Sequence, residues 1–340
     1  MPENPLVGPR PDLKIFAIGR SRLLAEDLCA LGGATLLPLQ EESFADGEIQ
    51  IKPLLPLRLP DPEEEVVILH TLGFELPKSP GEKIWELLML ASLLKDEGCE
   101  RLTALLPYLA YSRSDQRKEP LDPLSLRYLA QLCEAAGFKR ILTLDVHNPG
   151  AFENAFRCSS VNLEAAPLFC EYIKAQGLGE GSLVVMSPDL GGVKRAERFS
   201  RRLQAVLSRR PAAPKVSLAI AEKYREKEGL RGQALVGEVK DAHVLIYDDM
   251  ISTGKTVLKA ADLARSHGAR SVRVLACHGI FSQEPEKLLS SPLLDQIIVT
   301  NSNPFLGGIQ GREFKKLQVL SCAPLLAQGL GLMPTSWEIT

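Results

Sequence analysis

Apolar runs of strand length recur along the chain, with helical patterns between them. The runs fall at Leu13–Ile18, Val66–His70, Arg101–Pro107, Arg140–Asp145, Leu183–Ser187, Val216–Ala219, His243–Tyr247, Val272–Ala276 and Ile297–Thr300. Most are continuous Val, Ile and Leu rather than alternating, which is the pattern of strands covered on both faces. The intervening segments predict helices over Ser21–Leu31, Glu82–Lys95, Ser125–Ala136, Glu164–Ala175, Val193–Leu207 and Thr256–Ser266. Strand–helix alternation of this kind implies βαβ units and a mostly parallel sheet flanked by helices in each domain, so the fold class is α/β. Residues 101–145 and 183–248 are alike in that each holds a strand, a polar loop, a helix and a later strand ending in Asp. A domain boundary falls near Cys158–Asn162. The expected layout is a flexible arm at 1–12, a first domain at 13–160, a second at 161–324, and a segment at 325–340 packing back on the first.

Composition narrows the class. The 340 residues suffice for about two domains of ordinary size. Hydrophobic residues at 45% with 24% charged describe a soluble globular protein. Forty basic against 42 acidic residues leave a net charge of −2, so no global charge recruits nucleic acid. No apolar run approaches the ~20 residues that span a bilayer. The start of the chain, MPENPLVGPRPDLK, has no apolar core of a signal peptide. Seven cysteines without a CxxC read as reduced thiols of a cytoplasmic protein, with no zinc site.

The chemistry concentrates after strand ends, where doubly wound sheets hold ligands. The run VLIYDDMISTGKT, Val244 to Thr256, is a buried strand ending in Asp248 and Asp249 and passing into a Thr-Gly-Lys-Thr turn before a helix. Those carboxylates can take ribose hydroxyls or a divalent ion, and backbone N–H groups of Thr253, Gly254, Lys255 and Thr256 can hold a phosphate. Elsewhere FADGEIQIK sets Phe44, Asp46 and Glu48 around a glycine turn that enters an amphipathic strand. YLAYSRSDQRKEP gathers Arg113, Ser114 and Asp115 beyond a strand, where an arginine can clamp a polyphosphate or simply be solvated. LDVHN puts Asp145 and His147 two residues apart, pointing the same way if the backbone is extended. SPDLGGVKRA places Asp189 before two glycines that open a helix, as a metal- or phosphate-proximal turn or as a tight strand–helix corner. Lys223 and Arg225 lie in a charged segment that reads either as a mobile basic loop closing on a polyphosphate or as a solvated ribbon.

In this order, FADGE, PYLAYSRSDQR, LTLDVHN, SPDLGGVKRA, the Lys223–Arg225 segment, DDMISTGKT and TNSNP resemble the ribose-phosphate pyrophosphokinase family, from about Leu13 to Leu326. The resemblance implies two phosphoribosyltransferase-like domains. It also implies an enzyme that transfers the diphosphoryl group of ATP to the C1 hydroxyl of ribose 5-phosphate. Phe44, Asp46 and Glu48 would then line the adenine side, often across a subunit contact. Arg113, with Ser114 and Asp115, would meet ATP. His147 and Asp189 would hold Mg²⁺. Asp248 and Asp249 would meet the ribose, and Ser252, Thr253, Gly254, Lys255 and Thr256 the 5-phosphate. Lys223 and Arg225 match the catalytic pair. The implied assembly is a homo-oligomer built on dimers, up to hexamers, with neither nucleic acid nor membrane as partner.

Several positions depart from the family's habit. Ser114 stands for a common Gln, Gln116 for Arg, Ser252 for the sugar loop's Asp, and Lys255 for a small residue. A catalytically silent regulatory paralogue is a second reading, against which stands the retention of His147, Asp189, Lys223 and Arg225. A nucleobase phosphoribosyltransferase is a third, against which stands the length of two full α/β domains.

Overall fold

Every predicted apolar run is a strand in the computed structural model, which describes residues 10, 12–54, 64–177, 182–208, 213–225, 231–304 and 314–334, with the side chains of 223–233 excepted. The arm expected at 1–12 therefore lies almost wholly outside the described residues. The chain divides into two compact units: Met1–Glu164 with Ser302–Gly308 and Ser321–Trp337, and Ala165–Asn301 with Ile309–Leu320 and Glu338–Thr340.

The first unit is built on β1 (Lys14–Ala17), β2 (Thr35–Leu37), β5 (Glu65–Leu69), β6 (Arg101–Leu106), β7 (Phe138–Leu144) and β8 (Ser159–Leu163). They form one sheet in the order β2-β1-β5-β6-β7-β8, every neighbouring pair parallel. β5 is buried at all five positions, as a strand covered on both faces must be. A separate antiparallel hairpin joins β3 (Leu39–Ser43) to β4 (Ile49–Pro53). The helices of this unit are α1 (Ser21–Gly32), α2 (Pro80–Asp96), α3 (Ser125–Ala135), α4 (Pro149–Ala155) and α9 (Ala323–Gly329). α2 begins where it does because Ser79 and Glu82 form a reciprocal capping box and Pro80 fits the first turn.

The second unit runs through α5 (Ala166–Ala175), β9 (Leu183–Ser187), α6 (Val193–Leu207), β10 (Val216–Arg225), β11 (Arg231–Val236), β12 (His243–Ile251), α7 (Lys255–Ser266), β13 (Ser271–Gly279), α8 (Pro285–Leu289), β14 (Gln296–Thr300) and β15 (Leu317–Leu320). Its sheet order is β11-β10-β9-β12-β13-β14-β15, parallel throughout except for the β10–β11 hairpin. α6 is highly charged, yet it buries Ala196, Phe199, Ser200, Leu203 and Leu207, one stripe at helical spacing. Phe199 stacks on Tyr247 of β12 at 4.2 Å, and Phe169 of α5 meets the same ring edge-on at 6.1 Å. Each such aromatic pair adds about 0.5–1.5 kcal/mol beyond simple burial.

The structure departs from the sequence reading at several edges. The segment read as a boundary, Cys158–Asn162, is largely β8, the outer strand of the first sheet, and α5 starts at Ala166 rather than Glu164. β10 continues to Arg225 instead of ending at Ala219. The two short stretches Ser302–Gly308 and Ser321–Trp337 belong with the first unit, so the second is not one continuous segment.

α9 is fastened within the first unit by backbone capture. Arg140 donates to the Gly329 carbonyl at 2.7 Å and Arg10 to that of Leu330 at 3.3 Å, while both guanidinium groups lie near the buried Glu65 carboxylate. A Cβ at Gly329 would come within 2.7 Å of Leu163 and 2.8 Å of Leu142. Gly329→Ala should therefore destabilise the first unit by about 1–3 kcal/mol, the usual cost of overpacking. Urea unfolding measures this, and an unchanged midpoint would show that the close approach is not confining.

Candidate functional site

In the second sheet, β9 connects through α6 to β10 on one side, while β12 pairs with β9 on the other. The strand order reverses here, and a crevice opens at the carboxyl ends of β9 and β12, the position at which open α/β sheets bind ligands. Asp189 follows β9, while Asp248 and Asp249 lie within β12, which runs on to Ile251 beyond the expected end at Tyr247; its pairing with β9 stops at Ile246, just before them.

Asp189 caps a short 3₁₀ turn, Leu190–Gly192, its Oδ1 accepting the Gly192 N–H at 3.2 Å. The turn is tight: a Cβ on Gly192 would lie 2.8 Å from the Ser187 hydroxyl. Consecutive strand residues normally point to opposite faces. The Asp248 side chain nevertheless folds back to accept the Asp249 N–H at 2.9 Å. One guanidinium nitrogen, Arg195 Nη1, then lies 2.9 Å from Asp248 Oδ1 and 3.3 Å from Asp249 Oδ1. Burial, followed by the charge of Asp249, raises the Asp248 pKa to about 8; Arg195 opposes both.

The chain then turns through Ser252–Gly254 into α7. Gly254 has φ +73, a left-handed value suited to glycine, and a Cβ there would meet Leu288 at 2.8 Å. The turn is braced from the segment after β13: Ser282 N–H donates to the Ser252 carbonyl at 3.0 Å and the two hydroxyls lie 3.2 Å apart. Lys255 opens α7 and is exposed; Thr256 is half-buried in the first turn. Amide groups of a helix's first turn lack intrahelical acceptors, so this turn can take an anion.

Lys223 and Arg225 lie on the distal half of β10, in antiparallel register with Gln233 and Arg231. The basic segment expected as a loop is thus a hairpin arm as far as Arg225. The side chains of both residues lie outside the described residues.

In the first unit, Arg113, Ser114 and Asp115 follow β6. Arg113 is exposed, and Asp115 accepts a 2.8 Å hydrogen bond from Asn148, which also caps α4. That bond ties the loop after β6 to the loop after β7, which carries His147. The expectation that Asp145 and His147 point the same way is corrected. β7 ends at Leu144, and Asp145 takes a positive φ of 34°, so Asp145 is buried while His147 is exposed. Phe44, Asp46 and Glu48 all stand exposed at the tip of the β3–β4 hairpin, with Gly47 in a left-handed conformation between them. Beside them runs a groove lined by Glu48, Ile49, Gly81, Glu82, Trp85 and Met89. Arg195 was missed by sequence reasoning, although it sits inside the SPDLGGVKRA motif; its reach across the crevice to β12 is a tertiary fact. Among the described residues, no group of three His, Cys, Asp or Glu side chains forms a metal cluster.

Fold and geometry together define a class: a doubly wound α/β protein of two units, whose second switch point joins a carboxylate pair to an anion-accepting turn. Two family models match, the N-terminal domain of ribose phosphate pyrophosphokinase over residues 13–137 and the phosphoribosyl synthetase-associated domain over 208–331. Ribose-phosphate pyrophosphokinases of Ureaplasma parvum and Aquifex aeolicus are each 30% identical, the first over 93% of this chain and 90% of its own, the second over 94% of both. The crystal structure of phosphoribosylpyrophosphate synthetase from Mycobacterium smegmatis superposes with a TM-score of 0.80 at 29% identity, over 94% of this chain and 97% of that one. The chain belongs to the ribose-phosphate pyrophosphokinase family.

One electrostatic consequence is measurable at the carboxylate pair. Asp249→Asn removes a charge that raises the Asp248 pKa, so the Asp248 midpoint should fall. Carbon-detected NMR of labelled aspartate would follow it; a midpoint that stays near 8 would mean that burial alone sets it.

Proposed function

We propose that the chain transfers the diphosphoryl group of ATP to the C1 hydroxyl of ribose 5-phosphate, giving 5-phosphoribosyl 1-diphosphate and AMP. The observation that carries this reading is the pairing of Asp248 and Asp249 with the left-handed Gly254 turn at one switch point, within a chain matched to the family along nearly its whole length. The C1 oxygen bonds to the β-phosphorus as the bond from that phosphorus to the α,β-bridging oxygen breaks. AMP leaves with the bridging oxygen, and the C1 hydroxyl proton is lost.

Asp248 and Asp249 accept hydrogen bonds from the ribose hydroxyls, and the amides from Ser252 through Thr256 receive the 5-phosphate. In the first unit, Arg113, Ser114 and Asp115 serve ATP. Phe44, Asp46 and Glu48 stand too exposed to close on an adenine alone, which suits a contact made to a neighbouring copy in a homo-oligomer built on dimers, up to hexamers. Lys223 and Arg225 supply the positive charge that phosphoryl transfer requires on its equatorial and leaving oxygens.

Mg²⁺ is the expected ion. It is a hard cation usually held by one or two carboxylates together with substrate phosphates. Asp189, a carboxylate at the crevice that caps the turn after β9, fits that habit. His147, the other residue that the family resemblance assigns to the ion, is a nitrogen donor and softer than a carboxylate. The ion would neutralise charge building on the transferred phosphates. No helix among the described residues is long and apolar enough to cross a membrane.

Purified protein given Mg-ATP and ribose 5-phosphate should yield AMP and 5-phosphoribosyl 1-diphosphate in equal amounts; no AMP above a blank would sink the activity. Lys223→Ala should lower kcat by about 10²-fold or more while ribose 5-phosphate binding stays near normal, because its contribution is made in the transition state. Unchanged turnover would remove Lys223 from the mechanism.

A further inference from the structure

We infer that Arg195 is the positioning residue of the acceptor site. By holding Asp248 and Asp249 on one guanidinium nitrogen, it sets the two carboxylates to read adjacent hydroxyls of the sugar, and so governs preference for ribose 5-phosphate over its 2-deoxy counterpart. This rests on the assignment of the carboxylate pair to the ribose. Three observations support it. Nη1 lies 2.9 and 3.3 Å from one oxygen of each carboxylate, although consecutive strand residues would otherwise diverge. The Arg195 side chain is only 14% exposed, so it is held in place and not swept about in solvent. Its backbone is fixed by packing: Phe199, one helical turn further along α6, stacks on Tyr247, the residue immediately before Asp248. The same helix face thus sets both the register of α6 on β12 and the reach of the guanidinium.

A sugar bearing two neighbouring hydroxyls can engage both carboxylates, and one lacking the 2-hydroxyl leaves a buried acceptor without its donor. That asymmetry is where discrimination arises. Its size depends on both carboxylates being aimed, which is what a charge-assisted contact to each provides. A lysine can supply the charge but not the planar geometry.

The test compares Arg195→Gln, Arg195→Lys and Asp249→Asn in the full chain, with ribose 5-phosphate and 2-deoxyribose 5-phosphate as acceptors and thermal melting as the control for folding. Arg195→Gln should raise KM for ribose 5-phosphate at least about tenfold while KM for ATP stays within about twofold. The ratio of kcat/KM between the two sugars should fall at least about fivefold, and Arg195→Lys should restore the KM in part but less of the ratio. If Asp249→Asn raises the sugar KM while a folded Arg195→Gln or Arg195→Lys leaves both KM and ratio untouched, Arg195 is structural and the inference is overturned alone. If Asp249→Asn leaves the sugar KM unchanged, the assignment of the carboxylates fails first and takes the inference with it. An equal rise in KM for both substrates in the Arg195 variants also overturns it.

Discussion

Two carboxylates on consecutive residues toward the end of a strand repel one another, and unit charges about 4 Å apart cost about 4 kcal/mol at an effective dielectric near 20. Much of the second unit's local structure answers that repulsion. Asp248 folds back onto the Asp249 amide, Arg195 bridges the pair, and burial holds the Asp248 proton well above the ordinary carboxylate range. The arrangement is specific because every partner is fixed from behind: α6 by the Phe199–Tyr247 stack, the following turn by Ser282 and by Leu288 under Gly254. On the proposed assignment, an acceptor site made this way is poised electrostatically before any sugar arrives.

The first unit repeats the topology and takes the opposite course. Its strands β2-β1-β5-β6-β7-β8 follow the same parallel order as β10-β9-β12-β13-β14-β15, so its switch point lies between β1 and β5. There the charges pair with one another. Arg20 and Lys83 both bind Glu75, at 2.8 and 2.6 Å, and Lys78 bridges Glu86 and Glu41. Burial lowers the Lys83 pKa. His70 sits 3.2 Å from Glu86, yet neither ring nitrogen makes a well-formed hydrogen bond, and burial lowers its pKa. The loop beyond is filled from elsewhere in the unit: Thr71 donates to the Ser302 carbonyl, and Gly73 packs against Asn303, where a Cβ would have no room. One copy of the fold thus keeps an open turn, and the other commits the same position to internal cohesion.

The sequence was most legible where a physical demand dominates a local window. Continuous burial made the nine central strands visible, and the carboxylates beside a glycine turn marked out the site proposed for the acceptor. What stayed hidden depends on partners distant in the chain. β8 reads as a linker because its residues are only half-buried and its pairing lies with β7. The assignment of 302–308 to the first unit is invisible without knowing where the chain returns, whereas the return of the last segment to that unit is expected from 325 onward. Asp145 and His147 look like a pair only while the strand is imagined to continue; one positive φ separates them. Arg195 reads as another solvated helix arginine until β12 is placed against α6.

The departures in the sugar loop acquire a common sense beside that carboxylate pair. Where the family commonly carries Asp, Ser252 places a neutral hydroxyl 3.2 Å from that of Ser282. A third carboxylate here would add repulsion to a pair already bridged by Arg195. Lys255, in turn, adds a cation at the opening of α7, an end that already carries partial positive charge. Both changes move the potential of the turn in the same direction, toward the anion it would receive. On the proposed assignment, the grip lost on the ribose ring through the missing carboxylate is offset at the phosphate end of the same ligand, and the acceptor would be held more by its charge and less by its hydroxyls. On the same assignment, that shift would place more of the burden of recognising the sugar itself on Asp248, Asp249 and Arg195.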